Sequence, residues 1–115
     1  MTQTPLEELI RRYYVSAATN TDPHASPTEA NRAHDEIHEA YRLLRRTSEG
    51  REAISRLMDD ANPGVRLWAA AHSLFWKPEC ARAVLEGLAA EGGLLAFTAE
   101  MTLREFDAGR LTFDF

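Results

Sequence analysis

The sequence predicts an all-α domain of about six helices, and three observations predict it. Apolar residues recur at every third or fourth position over most of the chain, which is the spacing of one helix face. Residues that cap helix N-termini stand directly before these periodic segments. Four of the five prolines lie where a helix would begin, at the position where the missing N–H of proline costs nothing. Caps, prolines and periodicity therefore agree on an all-α fold.

The central helix is predicted over residues 62–76, with the sequence NPGVRLWAAAHSLFW. Asn62 can cap this helix, and Pro63 fits its first turn. Only Arg66 and Ser73 form a narrow polar wedge on a helix that is otherwise apolar. A helix that is apolar nearly all round is surrounded by protein, so we expect this one at the centre of a stack.

Two amphipathic helices and one short helix are predicted before the centre. Thr4-Pro5-Leu6-Glu7 reads as a capping box with proline at the first helical position, which opens a helix over residues 5–19. Residues 20–25 form a turn-rich connector, and Ser26-Pro27-Thr28-Glu29 repeats the capping box to open a helix over residues 27–47. Gly50 marks the break before a third helix over residues 51–60.

Two further helices and a tail are predicted after the centre. One helix spans residues 78–91 and stops at Gly92-Gly93, and the last spans residues 98–108, with residues 94–97 left ambiguous. Residues 110–115, RLTFDF, alternate apolar and polar side chains like a strand. Because a lone strand has no ladder partner, we expect an extended C-terminal tail that lies on the helices.

Length and charge limit the classes of function. The chain of 115 residues is expected to form a single domain over residues 1–115. A net charge of −5 argues against general affinity for nucleic acid or anionic membranes, and it favours another protein, one of basic charge, as partner. No secretory signal and no apolar run of about 18 residues is found, so a cytoplasmic protein is expected. Cys80 is the single cysteine, which excludes an internal disulfide.

Helices three and four are similar to one HEAT-type repeat: a short helix, an Asp59-Asp60 turn, then a helix with Val65-Arg66 and small residues inside. A closer resemblance covers most of the chain, in residues 30–32 (ANR), 41–45 (YRLLR), 62–70 (NPGVRLWAA), 96–97 (AF) and 100–105 (EMTLRE). These segments resemble a small bacterial HEAT-like family catalogued as a domain of unknown function. The resemblance implies a short α-α superhelical stack and carries no catalytic residue. By analogy of architecture, the resemblance also implies an immunity or accessory role, since proteins of this general kind can accompany bacterial toxin systems.

Residues 34–38, HDEIH, place two histidines at i and i+4 on one helix face, the spacing of zinc ligands in HExxH metalloproteases. The residue after the first histidine is Asp35, which is one methylene shorter than the glutamate base of that motif. A zinc site also needs a third protein ligand. A metal-dependent enzyme therefore stays as an alternative function. The simpler interpretation is two histidines that flank a core stripe, and we predict no metal site and no cofactor.

Trp68, His72 and Trp76 lie within about 80° on one face of the central helix. Their simplest role is to pack in the core, but tryptophan also dominates interface hot spots, so the three are candidate interface residues. Glu100 and Arg104 on the last helix are spaced for an i,i+4 ion pair, and we add them to the candidate interface.

Two more groups of charged residues have structural and functional interpretations. Arg11, Arg12, Arg42, Arg45 and Arg46 would suit a nucleic-acid-binding HEAT-like module, but glutamates are interspersed among them. Asp59 and Asp60 with Arg66 read as an acid pair with a substrate clamp, or as a structural turn. Because no Ser-His-Asp arrangement, GxGxxG or P-loop is found, we predict a non-catalytic protein-interaction module, with toxin immunity as its narrower form.

Overall fold

The computed structural model describes residues 5–113, which form six α-helices and one 3₁₀ turn and contain no strand. This confirms the predicted all-α stack. The helices are α1 Leu6–Asn20, α2 Pro27–Leu44, α3 Ser48–Arg56, α4 Pro63–Ser73, α5 Pro78–Glu91 and α6 Ala96–Asp107, and the 3₁₀ turn is Leu57–Asp59.

The helix α4 lies at the centre of the stack. It contacts α1, α3, α5 and α6, while α1 packs along α2 and α5 packs along α6. Val65, Ala69 and Ala70 are completely buried, and Leu74 just beyond the helix is 1% exposed. The small side chains on α4 let its neighbours approach closely, and the predicted central helix is confirmed.

Two predicted caps are present in the structure. Ser26 Oγ accepts a hydrogen bond from the backbone N–H of Glu29 at 3.1 Å, and Glu29 Oε1 accepts one from the N–H of Ser26 at 3.0 Å. Asn62 Oδ1 accepts from the N–H groups of Gly64 and Val65 at 2.8 and 3.3 Å. These bonds satisfy N–H groups that a helix start leaves without intrahelical partners.

The N-terminal boundary of α1 differs from the prediction. Pro5 occupies the N-cap position rather than the first helical position, and it provides no side-chain cap. Thr4, the expected capping residue, lies outside the described residues.

The prediction that Gly50 breaks the chain is wrong. The helix α2 ends at Leu44, and Thr47 Oγ1 accepts from the N–H of Gly50 at 3.0 Å, so α3 starts earlier than expected and contains Gly50. A Cβ atom at Gly50 would come within 1.9 Å of the Leu44 carbonyl oxygen. The glycine therefore permits close packing of α3 against the end of α2.

The polar wedge predicted on α4 is half correct. Arg66 is partly exposed, but Ser73 is completely buried and its Oγ lies 2.9 Å from Ser55 Oγ in α3. The central helix also ends at Ser73, earlier than predicted, and turns lead from there to α5.

The helix α6 begins at Ala96, so two of the ambiguous residues are helical. Gly92 and Gly109 follow α5 and α6 with φ values of 75° and 74°, a region that glycine enters without the steric cost of a Cβ.

Leu111 and Phe113 of the tail pack against the core, as predicted, and residues 114–115 lie outside the described residues. None of the helices in the described range is long and apolar enough to cross a membrane.

Candidate functional site

A cluster of aromatic rings lines a groove across α4. We call it the aromatic groove and define it by Tyr41 of α2, Trp68 and His72 of α4, Phe75 and Trp76 just after α4, and Phe113 of the tail. The His72 ring is stacked on Tyr41 with centroids 3.8 Å apart, and Phe113 stands edge-on to His72 at 4.6 Å. The groove forms because positions 68, 72 and 76 share one face of α4 and its extension, where the tail crosses it.

His72 forms the floor of the groove and is completely buried. Its Nδ1 lies 2.6 Å from the hydroxyl oxygen of Tyr13, which is also completely buried. Burial, with smaller contributions from His38 and Arg45, holds the pKa of His72 well below its usual value. Burial likewise raises the pKa of the Tyr13 phenol well above its usual value. The imidazole is therefore neutral and the phenol protonated near pH 7.

The protonation of this pair follows from the number of buried polar groups that each tautomer of His72 leaves without a hydrogen bond. His72 Nε2 is buried and has no hydrogen-bond partner in the described part of the chain. If the Tyr13 hydroxyl donates to Nδ1, only the Nε2–H remains unpaired; the other tautomer would leave two unpaired groups. We therefore assign the donor role to Tyr13.

Both tryptophans are fixed by a hydrogen bond and partly buried. Trp68 Nε1 donates to Asn20 Oδ1 at 3.1 Å, which ties α4 to the end of α1. Trp76 Nε1 donates to Ser55 Oγ at 2.9 Å, which ties the end of α4 to α3. The indole rings are therefore held in place and present preformed walls to the groove.

Two cavities open on either side of Phe113, which lines both of them. The turn cavity, about 350 Å³, lies between the α1–α2 connection and the start of α6, where Pro23, Trp68 and Thr98 help to line it. The arginine cavity, about 450 Å³, is lined by Tyr41, Arg45, Arg46, Arg51, Trp76 and the tail residues 111–113, together with Phe75. Phe113 therefore stands between an apolar cavity and a cavity lined by three arginines.

The predicted interface residues fall into two groups. Trp68 lines the turn cavity, Trp76 lines the arginine cavity, and His72 lies between them beneath Phe113. Glu100 and Arg104 form an exposed ion pair of 3.0 Å on α6, and neither lines either cavity. The structure thus brings the three aromatic residues together and leaves the ion pair elsewhere.

The histidines of the HDEIH segment lie beside this groove. His38 is buried with its ring 6.3 Å from Tyr41, and the ring of His34 is 5.7 Å from Trp68. Among residues 5–113, no group of three His, Cys, Asp or Glu side chains is arranged to hold a metal ion. Within these residues, no third side chain of these types joins His34 and His38 as a metal ligand.

The Asp59–Arg66 region has structural contacts. Asp60 Oδ2 accepts from the Tyr14 hydroxyl at 3.0 Å and from the backbone N–H of Asn62 at 2.9 Å. Arg66 Nη1 donates to the carbonyl oxygen of Asp60 at 3.1 Å. These bonds stabilise the turn before α4.

Sequence reasoning missed Tyr41, Phe75 and Phe113 as parts of the site. The alternation of the tail predicts that its apolar side chains contact helices, but it does not indicate which ring Phe113 meets. The sequence also shows no sign that Arg51 belongs to the site. Arg51 lines the arginine cavity because α3 packs against the end of α2.

A family model described as Domain of unknown function (DUF2019) matches residues 8–107. The chain belongs to this family. The match covers all of the groove residues on α2 and α4 and ends at the last residue of α6, before the tail. No curated protein and no solved structure matches the chain.

Proposed function

We propose that the chain is a non-catalytic protein-interaction module that binds an extended segment of a partner protein in the aromatic groove. The observation that carries this proposal is the position of Phe113. The tail contributes one aromatic ring to the middle of the groove and leaves a cavity on each side of it. A segment with an aromatic residue and larger neighbours would fill more of the same surface.

The chemistry of the groove supports a protein partner. Partly buried tryptophans at both ends supply large apolar contact areas in fixed orientations, which is typical of interface hot spots. The tail competes from within the same molecule, at an effective concentration of about millimolar for short tethers. A partner would therefore displace it only with a better-fitting segment.

The charge and the resemblance support narrower forms of this proposal. A net charge of −5 favours a partner that is basic overall, because opposite charges steer association. The likeness to small bacterial HEAT-like proteins favours an immunity or accessory role in a toxin system. In that role the chain blocks or scaffolds its partner by surface contact.

The test is an affinity pull-down from the native host with the tagged protein, compared with two variants. Thr98→Arg places a long side chain at the mouth of the turn cavity, and Ala83→Arg makes the same change on the exposed face of α5. We expect one stoichiometric partner that Thr98→Arg loses and Ala83→Arg keeps. Equal recovery by both variants would place the interface outside the turn cavity.

A direct measurement uses the full chain with Phe113→Ala and the capped peptide acetyl-AGRLTF-amide, which repeats residues 108–113. We expect calorimetry to show tighter binding to this variant than to the wild type, whose own tail competes. The same peptide with alanine in place of its phenylalanine is the control and should not bind. If acetyl-AGRLTF-amide does not bind Phe113→Ala, or binds no better than the alanine control, the groove does not accept an extended segment.

A further inference from the structure

The arginine cavity carries a local charge opposite to that of the whole chain. Arg45 and Arg46 follow the end of α2, and Arg51 lies in α3, so three arginine residues line one cavity. The whole chain has a net charge of −5. Three arginine residues are therefore gathered at one end of the aromatic groove.

Two of these arginines, Arg46 and Arg51, have no carboxylate partner in the part of the chain that the structure describes. Arg46 and Arg51 form no ion pair within residues 5–113, whereas Arg11, Arg82, Arg104 and Arg110 each pair with a carboxylate. Arg51 Nη1 donates to the carbonyl oxygen of Arg45 at 2.7 Å, which fixes its position without neutralising its charge. The guanidinium carbon of Arg45 lies 5.1 Å from the centre of the Tyr41 ring.

The tail shows which residue of a bound segment would face these arginines. Phe113 lines both cavities, but Leu111 and Thr112 line only the arginine cavity. A segment bound in the direction of the tail therefore places the one or two residues before its aromatic residue beside the arginines. In the tail itself those residues are uncharged.

We infer that the arginine cavity binds the carboxylate of an acidic residue that lies one or two positions before the aromatic residue of the partner's segment. This inference rests on the proposed function and specifies the chemistry of the partner. A guanidinium pair and a carboxylate form charge-assisted hydrogen bonds, which are stronger than neutral ones. A partner that is basic overall is compatible with one acidic segment, because the cavity contacts only that segment.

The test compares two capped peptides on the full chain with Phe113→Ala, namely acetyl-AGRLTF-amide carrying Thr112→Glu and the same peptide carrying Thr112→Gln. We expect the glutamate peptide to bind about ten-fold more tightly, as one charge-assisted hydrogen bond allows, and to lose this advantage at high salt. Equal affinities would overturn the inference while leaving the groove proposal intact. Failure of both peptides to bind would overturn both.

Arginine variants in the Phe113→Ala background locate the effect. Arg46→Gln and Arg51→Gln should each reduce the preference for glutamate, whereas Arg42→Gln, an exposed change on α2 outside the cavity, should keep it. Arg46 is exposed, so its variant remains decisive if Arg51→Gln, which loses a tertiary hydrogen bond, fails to fold. A preference unchanged in Arg46→Gln, or lost equally in Arg42→Gln, would contradict the assignment of the carboxylate to this cavity.

Discussion

The Tyr13 hydroxyl of α1 and His72 Nδ1 of α4 are 2.6 Å apart at the centre of the protein, although the two residues are 59 positions apart in the chain. Both side chains are completely buried. The pair joins the first helix to the central helix with a polar contact where the surrounding core is apolar. Such a contact fixes the relative position of two helices, because misplacing either one leaves a buried polar group unpaired.

Stability should fall on mild acidification because of His72. Its pKa in the folded state is lowered below the usual 6.5, so below that pH the unfolded chain binds a proton that the folded chain does not. The free energy of unfolding should therefore decrease as pH falls from about 7.5 to 5, with a limiting slope of about 1.4 kcal/mol per pH unit.

Urea titrations of the wild type and His72→Gln over this pH range measure the effect. The variant cannot titrate at this position, so its stability should fall less. The lowered pKa values of Glu8 and Glu29 make them protonate below 4.5, outside this range. Parallel pH profiles for the two proteins would show that His72 does not cause the acid sensitivity.

Alanine should have opposite effects at two helical glycines. Gly50→Ala places a Cβ 1.9 Å from the Leu44 carbonyl oxygen, so a backbone shift is required and we expect a loss of about 2 kcal/mol or more. Gly87→Ala in α5 meets nothing within 4 Å and should stabilise by up to about 1 kcal/mol through helix propensity. Chemical denaturation measures both, and a stable Gly50→Ala would mean that α2 and α3 are not in close contact.

Leu74→Ala should destabilise the protein by about 2–5 kcal/mol, because Leu74 is only 1% exposed and its loss leaves a cavity. Leu94→Ala is the matched control, since Leu94 is 78% exposed and should change stability little. Equilibrium unfolding of both variants gives the comparison. A loss below about 1 kcal/mol for Leu74→Ala would contradict the central position of α4.

Ser26→Ala should cost about 1 kcal/mol, because it removes the oxygen that caps the Glu29 N–H of α2. Thr28→Ala, an exposed change two residues later with no cap to lose, should cost less. The two denaturation midpoints provide the measurement. An unchanged midpoint for Ser26→Ala would indicate that the capping box does not stabilise the start of α2.

Local signals predicted most of the fold, and long-range contacts account for the differences. Asn62 and Ser26 were identified because a cap acts within three residues. Gly50 was misplaced because its role depends on the Leu44 carbonyl of a neighbouring helix end, and helix propensity alone indicates a break. The helix α6 begins two residues before its predicted start, because no side chain caps its N-terminus and marks the boundary in the sequence.

The candidate site was predicted only in part, because local spacing is visible in the sequence and long-range contacts are not. The i,i+4 spacing of Trp68, His72 and Trp76 is visible in the sequence, and the structure places them along one groove. The partner of His72 was not predictable, because Tyr13 comes from a distant helix. The position of Phe113 required the tertiary path of the tail.

Trp68 and Trp76 are the two tryptophans of the chain, and they stand at opposite ends of the groove. Indole emission depends on its contact with water, so the tryptophan fluorescence of the protein reports on both ends of this groove. Trp68→Phe and Trp76→Phe each leave one emitter, at the arginine cavity and at the turn cavity respectively. The protein therefore contains a built-in optical sensor that can distinguish which end of the groove is filled.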